Sequence, residues 1–237
     1  MGKNNYFQFK EFKIVQEKSA MKVGTDGILL GAWVNKLNHK NILDIGTGTG
    51  LISLMLAQRT KARILALEID ANAANEAKYN VANSPWKDKI ETKNISFQNF
   101  VNFSNQKFDL IVSNPPFFEN SIKKKEKAQT TARHTDSLTF KELVNGVSSL
   151  LSKSGRFAVI LPTLSKTEFI KLANNVGLFL TRTTLVFPKS GVQANRCLME
   201  FSKIKKAHKE EELTIYDLDG NYTSDYKTLT KDFYLNF

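Results

Sequence analysis

Apolar runs and helical patterns alternate through the middle of this 237-residue chain, and that alternation limits the fold more than any other feature. The patterning predicts strands over 42–46, 64–69, 92–97, 108–113 and 156–161, with helices over 50–59, 71–83, 139–151 and 165–176. Strands separated by helices build a mostly parallel α/β sheet with helices on both faces. Two closing strands, 178–187 and 194–202, flank the turn-rich Pro188-Lys189-Ser190-Gly191 and are expected to pair antiparallel. The expectation is a seven-stranded, doubly wound sheet whose final strand is antiparallel. One domain accounts for the length: an N-terminal hairpin and capping helix over 1–35, a core over 36–203, and an extension over 204–237 that packs back on it.

Two of these strands end in residues that carry chemistry. Asn41-Ile42-Leu43-Asp44-Ile45 runs into Gly46-Thr47-Gly48-Thr49-Gly50, which places glycines at alternate positions ahead of a helical pattern. Glycine there permits positive φ and close approach of the backbone to a ligand at a helix N-terminus. The spacing departs from the dinucleotide Gly-x-Gly-x-x-Gly. About 20 residues further on, Glu68 closes the next strand, where an acid can accept both hydroxyls of a ribose. Asp70 competes for that role and is the better cap for a helix starting near Ala71. Thr25 or Asp26 is expected to cap a helix whose N-terminus faces a carboxylate.

The second such strand, Phe108-Asp109-Leu110-Ile111-Val112-Ser113, is stopped by Asn114-Pro115-Pro116-Phe117. Consecutive prolines cannot continue a ladder, so Asn114 and Phe117 stand at the carboxyl edge, where open α/β sheets bind ligands. An amine conjugated to a planar ring is a poor nucleophile because its lone pair is delocalised. The Asn114 side-chain carbonyl and the Pro115 backbone carbonyl can each accept one N–H from such an amine, and proline brings no competing donor. Fixed acceptors favour the pyramidal amine and stabilise the charge that develops on it. Phe117 would stack on the planar substrate, a contact worth roughly 1–3 kcal/mol.

The formal net charge of +11 suggests a polyanionic partner. Lys123, Lys124, Lys125 and Lys127 follow the Asn-Pro-Pro-Phe tetrad directly, either as a nucleic-acid contact or as a solvated loop, and Lys10 and Lys13 of the N-terminal hairpin are the second basic candidate. One cysteine, Cys197, leaves no disulfide or thiolate metal site, and three scattered histidines suggest no zinc motif, so no metal is expected. No apolar run approaches the length of a membrane span, and the polar start lacks a signal-peptide core; the expectation is a soluble cytoplasmic protein.

Three segments, Met21-Lys22-Val23-Gly24-Thr25-Asp26-Gly27, Asp44 to Gly50 and Ser113 to Phe117, together with Tyr222-Thr223 and Leu229 to Tyr234, resemble the bacterial tRNA1(Val) adenine-N6 methyltransferases over nearly the whole chain. The resemblance implies a class I, Rossmann-like methyltransferase fold and S-adenosylmethionine as donor. It also implies a tRNA partner methylated at the adenine immediately 3′ of the anticodon; no obligatory protein partner is inferred. On the same footing, Asn114, Pro115, Pro116 and Phe117 are catalytic, and Lys22, Thr25, Asp44, Gly46, Gly48, Gly50, Glu68 and Asn114 surround the cofactor. Asp44 resembles the strand-end acid that holds the cofactor's amino end, and bracing the glycine loop is its other open role. Ser96 stands where the family pattern has Asp or Asn to accept the cofactor's adenine amine, and Phe97 either flanks that ring or belongs to the core. The same tetrad serves rRNA guanine-N2, DNA adenine-N6 and release-factor glutamine methyltransferases. An inactive RNA-binding module is the alternative outside enzymology, and it has no use for Asn114.

Overall fold

A computed structural model describes residues 5–19, 22–35, 38–116 and 138–236. In chain order the elements are β1 (Tyr6–Gln8), β2 (Lys13–Val15), α1 (Thr25–Trp33), β3 (Asn41–Ile45), α2 (Leu51–Arg59), β4 (Arg63–Glu68), α3 (Ala71–Ala82), β5 (Ile90–Asn94), α4 (Phe97–Phe103) and β6 (Phe108–Ser113). Then come α5 (Phe140–Leu150), β7 (Leu151–Pro162), α6 (Lys166–Asn175), β8 (Phe179–Lys189), β9 (Arg196–Ser202), β10 (Lys209–Tyr216) and α7 (Ser224–Thr230).

The main sheet runs in the order β10-β8-β9-β7-β6-β3-β4-β5. Only β9 is antiparallel to its neighbours. Central strands are buried on both faces, which is why they read as continuous apolar runs. In β6, Leu110 and Val112 enter one core and Phe108 and Ile111 the other. Helices α1, α2 and α7 cover the first face, and α4, α5 and α6 cover the second.

Three expectations need correction. The sheet has eight strands, because β10 in the C-terminal extension pairs parallel with β8. Its charged first half, Lys209-Glu210-Glu211-Glu212, suits an edge strand facing solvent and hides the strand from an apolar pattern. The third strand ends at Asn94, and Phe97 opens a helix, α4, that the sequence reading did not contain. Ser96 caps that helix, its hydroxyl accepting the Asn99 N–H at 3.1 Å.

The chain leaves β3 for β4 and β5 on one side and returns with β6 on the other. Ligands bind at such a switch point, outside the carboxyl ends of the strands. Ile45 lies opposite Ser113 in the β3–β6 register, and the Ser113 hydroxyl donates to the Ile45 carbonyl at 3.0 Å. The glycine loop and Asn114 therefore leave the sheet side by side.

Candidate active site

A cavity of about 370 Å³ opens at this edge, within the range of small-ligand sites. Its lining joins three segments far apart in sequence: Lys22 to Gly27, Gly46 to Thr49, and Asn114, with Arg196 from the start of β9. Asn114 is half-buried, Pro115 is buried behind it and Pro116 is exposed. A second cavity, about 400 Å³, lies at the opposite, amino edge of the sheet around Asn41, Ile90 and Phe108, away from all of these groups.

The glycine loop is shaped by positive φ. Gly46 and Gly48 have φ of +71° and +57°, and a Cβ on either would meet no protein atom within 4 Å. The backbone thus offers a bare surface that a ligand can approach. At the opposing wall the α1 N-cap is Gly24, with no side-chain cap, so neither Thr25 nor Asp26 has the capping role expected of it. Asp26 is claimed instead by Arg196, whose Nε donates to Asp26 Oδ2 at 2.9 Å. Uncapped N–H groups carry the positive end of the helix dipole, which suits a carboxylate. Lys22 stands at the same wall and donates through Nζ to the Gln16 carbonyl.

Beneath the loop the sign reverses. Asp44 is fully buried; the hydroxyls of Thr47 and Ser53 both donate to its Oδ2 at 2.7 Å, while Oδ1 has no partner among the described residues. Burial, reinforced by the nearby Glu68 charge, pushes the Asp44 carboxyl up to about 6 against the pull of those hydrogen bonds. Glu68 accepts the Gly48 N–H on Oε2 at 2.8 Å and the Asp70 N–H on Oε1 at 2.9 Å. Asp70 caps α3 through the Ala73 N–H at 2.8 Å. Asp44 and Glu68 do not line the cavity themselves; they lie behind the glycine loop, while the lining offers the loop backbone and the α1 N-terminus with Lys22, a positive end that suits the carboxylate of S-adenosylmethionine.

Phe97 does not belong to this cavity. It is 5% exposed and its ring packs in the second core, the other of the two places the sequence left open for it. The Ser96 hydroxyl is engaged in capping α4. Lys10 donates from Nζ to the Lys231 carbonyl at 2.6 Å and ties the hairpin to the C-terminal tail, and Lys13 lies over the Tyr6 ring at 4.8 Å. Phe117, Lys123, Lys124, Lys125 and Lys127 fall outside the described residues. Arg196 was missed from the sequence because its partner is remote and no local pattern marks it.

Fold and site together define a class I, S-adenosylmethionine-dependent methyltransferase. The chain belongs to the methyltransferase small domain family, whose model matches residues 18–177, and within it to the tRNA1(Val) (adenine(37)-N6)-methyltransferases. It is 48% identical over 236 residues to the protein of that name from Trichodesmium erythraeum, spanning 98% of this chain and 99% of the relative. With the Bacteroides fragilis protein the identity is 46% over 231 residues, 97% and 98% of the two chains. The crystal structure of a predicted O-methyltransferase, protein Atu636 from Agrobacterium tumefaciens, matches with a TM-score of 0.70 at 19% identity, covering 88% of this chain and 96% of that one, a likeness of fold.

Glu68 and Asp70 separate by experiment. Replacing Glu68 with alanine is expected to weaken cofactor binding by about 1.5–3 kcal/mol, the loss of charged hydrogen bonds. Asp70→Ala should cost about 1 kcal/mol of stability through the lost cap and leave cofactor affinity intact. Calorimetry paired with thermal unfolding reads both, and the opposite pattern would assign the ribose to Asp70.

Proposed function

We propose that this protein methylates N6 of adenine 37 in tRNA1(Val), with S-adenosylmethionine as donor. The observation that carries the reading is the meeting of Asn114 with the glycine loop and the α1 N-terminus in one cavity. Relatives aligned over nearly the whole chain carry that activity in their names, which favours tRNA over DNA, rRNA or release factor. Among the described residues no helix is long and apolar enough to cross a membrane, in keeping with action on cytoplasmic tRNA.

Bound S-adenosylmethionine supplies an electrophilic methyl group on sulfur. The remaining work falls to the chain. Asn114 and the Pro115 carbonyl accept the two N–H bonds of the adenine amine, turning its lone pair out of the ring and toward the donor. Phe117 stacks on the extruded base, and the lysines that follow it contact phosphates. Once methylated, the nitrogen is acidic enough to lose its proton to water, so no tuned base is needed.

Labelled-methyl transfer to a tRNA1(Val) transcript, compared with a transcript carrying guanine at that position, tests the assignment. Incorporation into both transcripts, or into neither, would overturn it.

The role of Asp44 is tested by pH. Burial raises its carboxyl to about 6 in the free protein, and if the cofactor's ammonium reaches the unpartnered, buried Oδ1 it will hold the group ionised. Binding below that pH must then expel a proton, so affinity should be level above pH 6 and fall by up to about tenfold per unit beneath it. Calorimetry in two buffers of different ionisation enthalpy counts the proton. A flat profile from neutral pH down to 5 would leave Asp44 only its bracing role.

A further inference from the structure

Helix α3 buries two polar side chains one turn apart, Glu76 at 6% exposure and Asn80 at 2%. Neither is explained by packing. The Glu76 carboxylate accepts three successive backbone N–H groups, those of Glu17 at 2.6 Å, Lys18 at 2.9 Å and Ser19 at 3.0 Å. Residues 17–19 belong to no helix or strand, so these bonds supply what a ladder would otherwise give. Burial alone would raise the Glu76 carboxyl; bonds from Ser19, Lys18 and Glu17 hold it below its ordinary value.

Asn80 is engaged on both ends of its amide. Oδ1 accepts the Val15 N–H at 2.8 Å, and Nδ2 donates to the Val15 carbonyl and to the Thr49 carbonyl, each at 2.9 Å. Thr49 lines the cavity from the glycine loop. From Val15 the connection continues through Gln16, whose Oε1 accepts the Val23 N–H at 2.7 Å and whose carbonyl accepts Lys22 Nζ. Val23 and Lys22 line the opposite wall. One helix thus fixes both walls of the cavity.

We propose that Glu76 and Asn80 are positioning residues for S-adenosylmethionine, holding residues 15–19 against α3 and the glycine loop so that Lys22 and the α1 N-terminus receive the cofactor's carboxylate. A buried charge is retained where removing it would orphan backbone donors, and here those donors belong to the segment that leads into the cavity wall. The inference rests on the cofactor and is independent of which nucleic acid is methylated.

The test is calorimetry with S-adenosylmethionine and no RNA, beside hydrogen exchange at the Glu17, Lys18 and Ser19 amides. Glu76→Gln keeps one acceptor oxygen but sets an amide N–H₂ against at least one of these donors, and Asn80→Asp sets a carboxylate against two carbonyls. Each should weaken cofactor binding about tenfold, and Glu76→Gln should speed exchange at one or more of the three amides, Ser19 first. Gln16→Ala leaves α3 untouched and should weaken binding as well, so it decides the matter if an α3 variant fails to fold. A merely structural role would lower the melting temperature and leave affinity unchanged in the folded protein. Parent-like affinity in Gln16→Ala, or in a folded Glu76→Gln whose amides exchange freely, would overturn the proposal.

Discussion

Replacing Asn114 with alanine should lower turnover by about 10² or more, the scale for deleting one preorganised polar contact aimed at developing charge. Cofactor affinity and melting temperature should stay near the parent values. The structure explains the separation. Asn114 follows the last ladder position of β6, and its half-buried side chain lines the cavity. The strand end is fixed without it, by the Ser113 hydroxyl on the Ile45 carbonyl and by buried Ile111 and Val112. The groups proposed to hold the cofactor are the glycine loop, Asp44, Glu68 and the α1 wall, and none of them is hydrogen-bonded to this carboxamide among the contacts of the described residues. Single-turnover transfer of labelled methyl, with calorimetry and thermal unfolding on the same preparation, measures all three quantities. A folded, cofactor-binding Asn114→Ala protein that works at the parent rate would refute the lone-pair mechanism.

What the sequence displays is what is local. Strands β3, β4 and β6 and the second half of β7 are mostly apolar on both faces, and the resulting runs mark the parallel sheet. Gly46, Gly48 and Asn114 are equally legible, since a strand end followed by glycines or prolines has few conformations open to it. Interactions between distant segments leave no such mark. Asp26 has the composition of a cap, yet its carboxylate is taken by Arg196, 170 positions away. Glu76 and Asn80 look like ordinary polar positions of a helix, because their partners are backbone groups of residues 15–19 and of Thr49, far away in sequence. Strand β10 is masked by its charges, of which Glu211 pairs with Arg182 across the sheet edge at 2.8 Å. Helix α4 is short and aromatic, and Phe97, Phe100, Val101 and Phe103 fit it only once Ser96 is recognised as its cap.

Phe97 is where these two kinds of information diverge, and its replacement by alanine should be the most destabilising of the changes considered. A buried phenylalanine cut to alanine costs about 3–5 kcal/mol, a large fraction of a domain's stability. At roughly 2–4 °C per kcal/mol for a chain of this size, the melting temperature should fall by about 10 °C. The ring lies against α5 at Gly146, where an added Cβ would stand 2.5 Å from Phe97 Cε1 and 2.8 Å from Val101 Cγ2. Gly146→Ala should therefore destabilise the parent by about 1–3 kcal/mol through overpacking, although alanine is the better helix former. With Phe97 already alanine, most of that clash is gone, and the same substitution should cost far less or stabilise. Such coupling between the two sites in a double-mutant cycle is the signature of a packed pair. A phenylalanine that flanked the cofactor's adenine would behave in the opposite way: Phe97→Ala would weaken cofactor binding, leave the melting temperature almost unmoved, and add independently to Gly146→Ala.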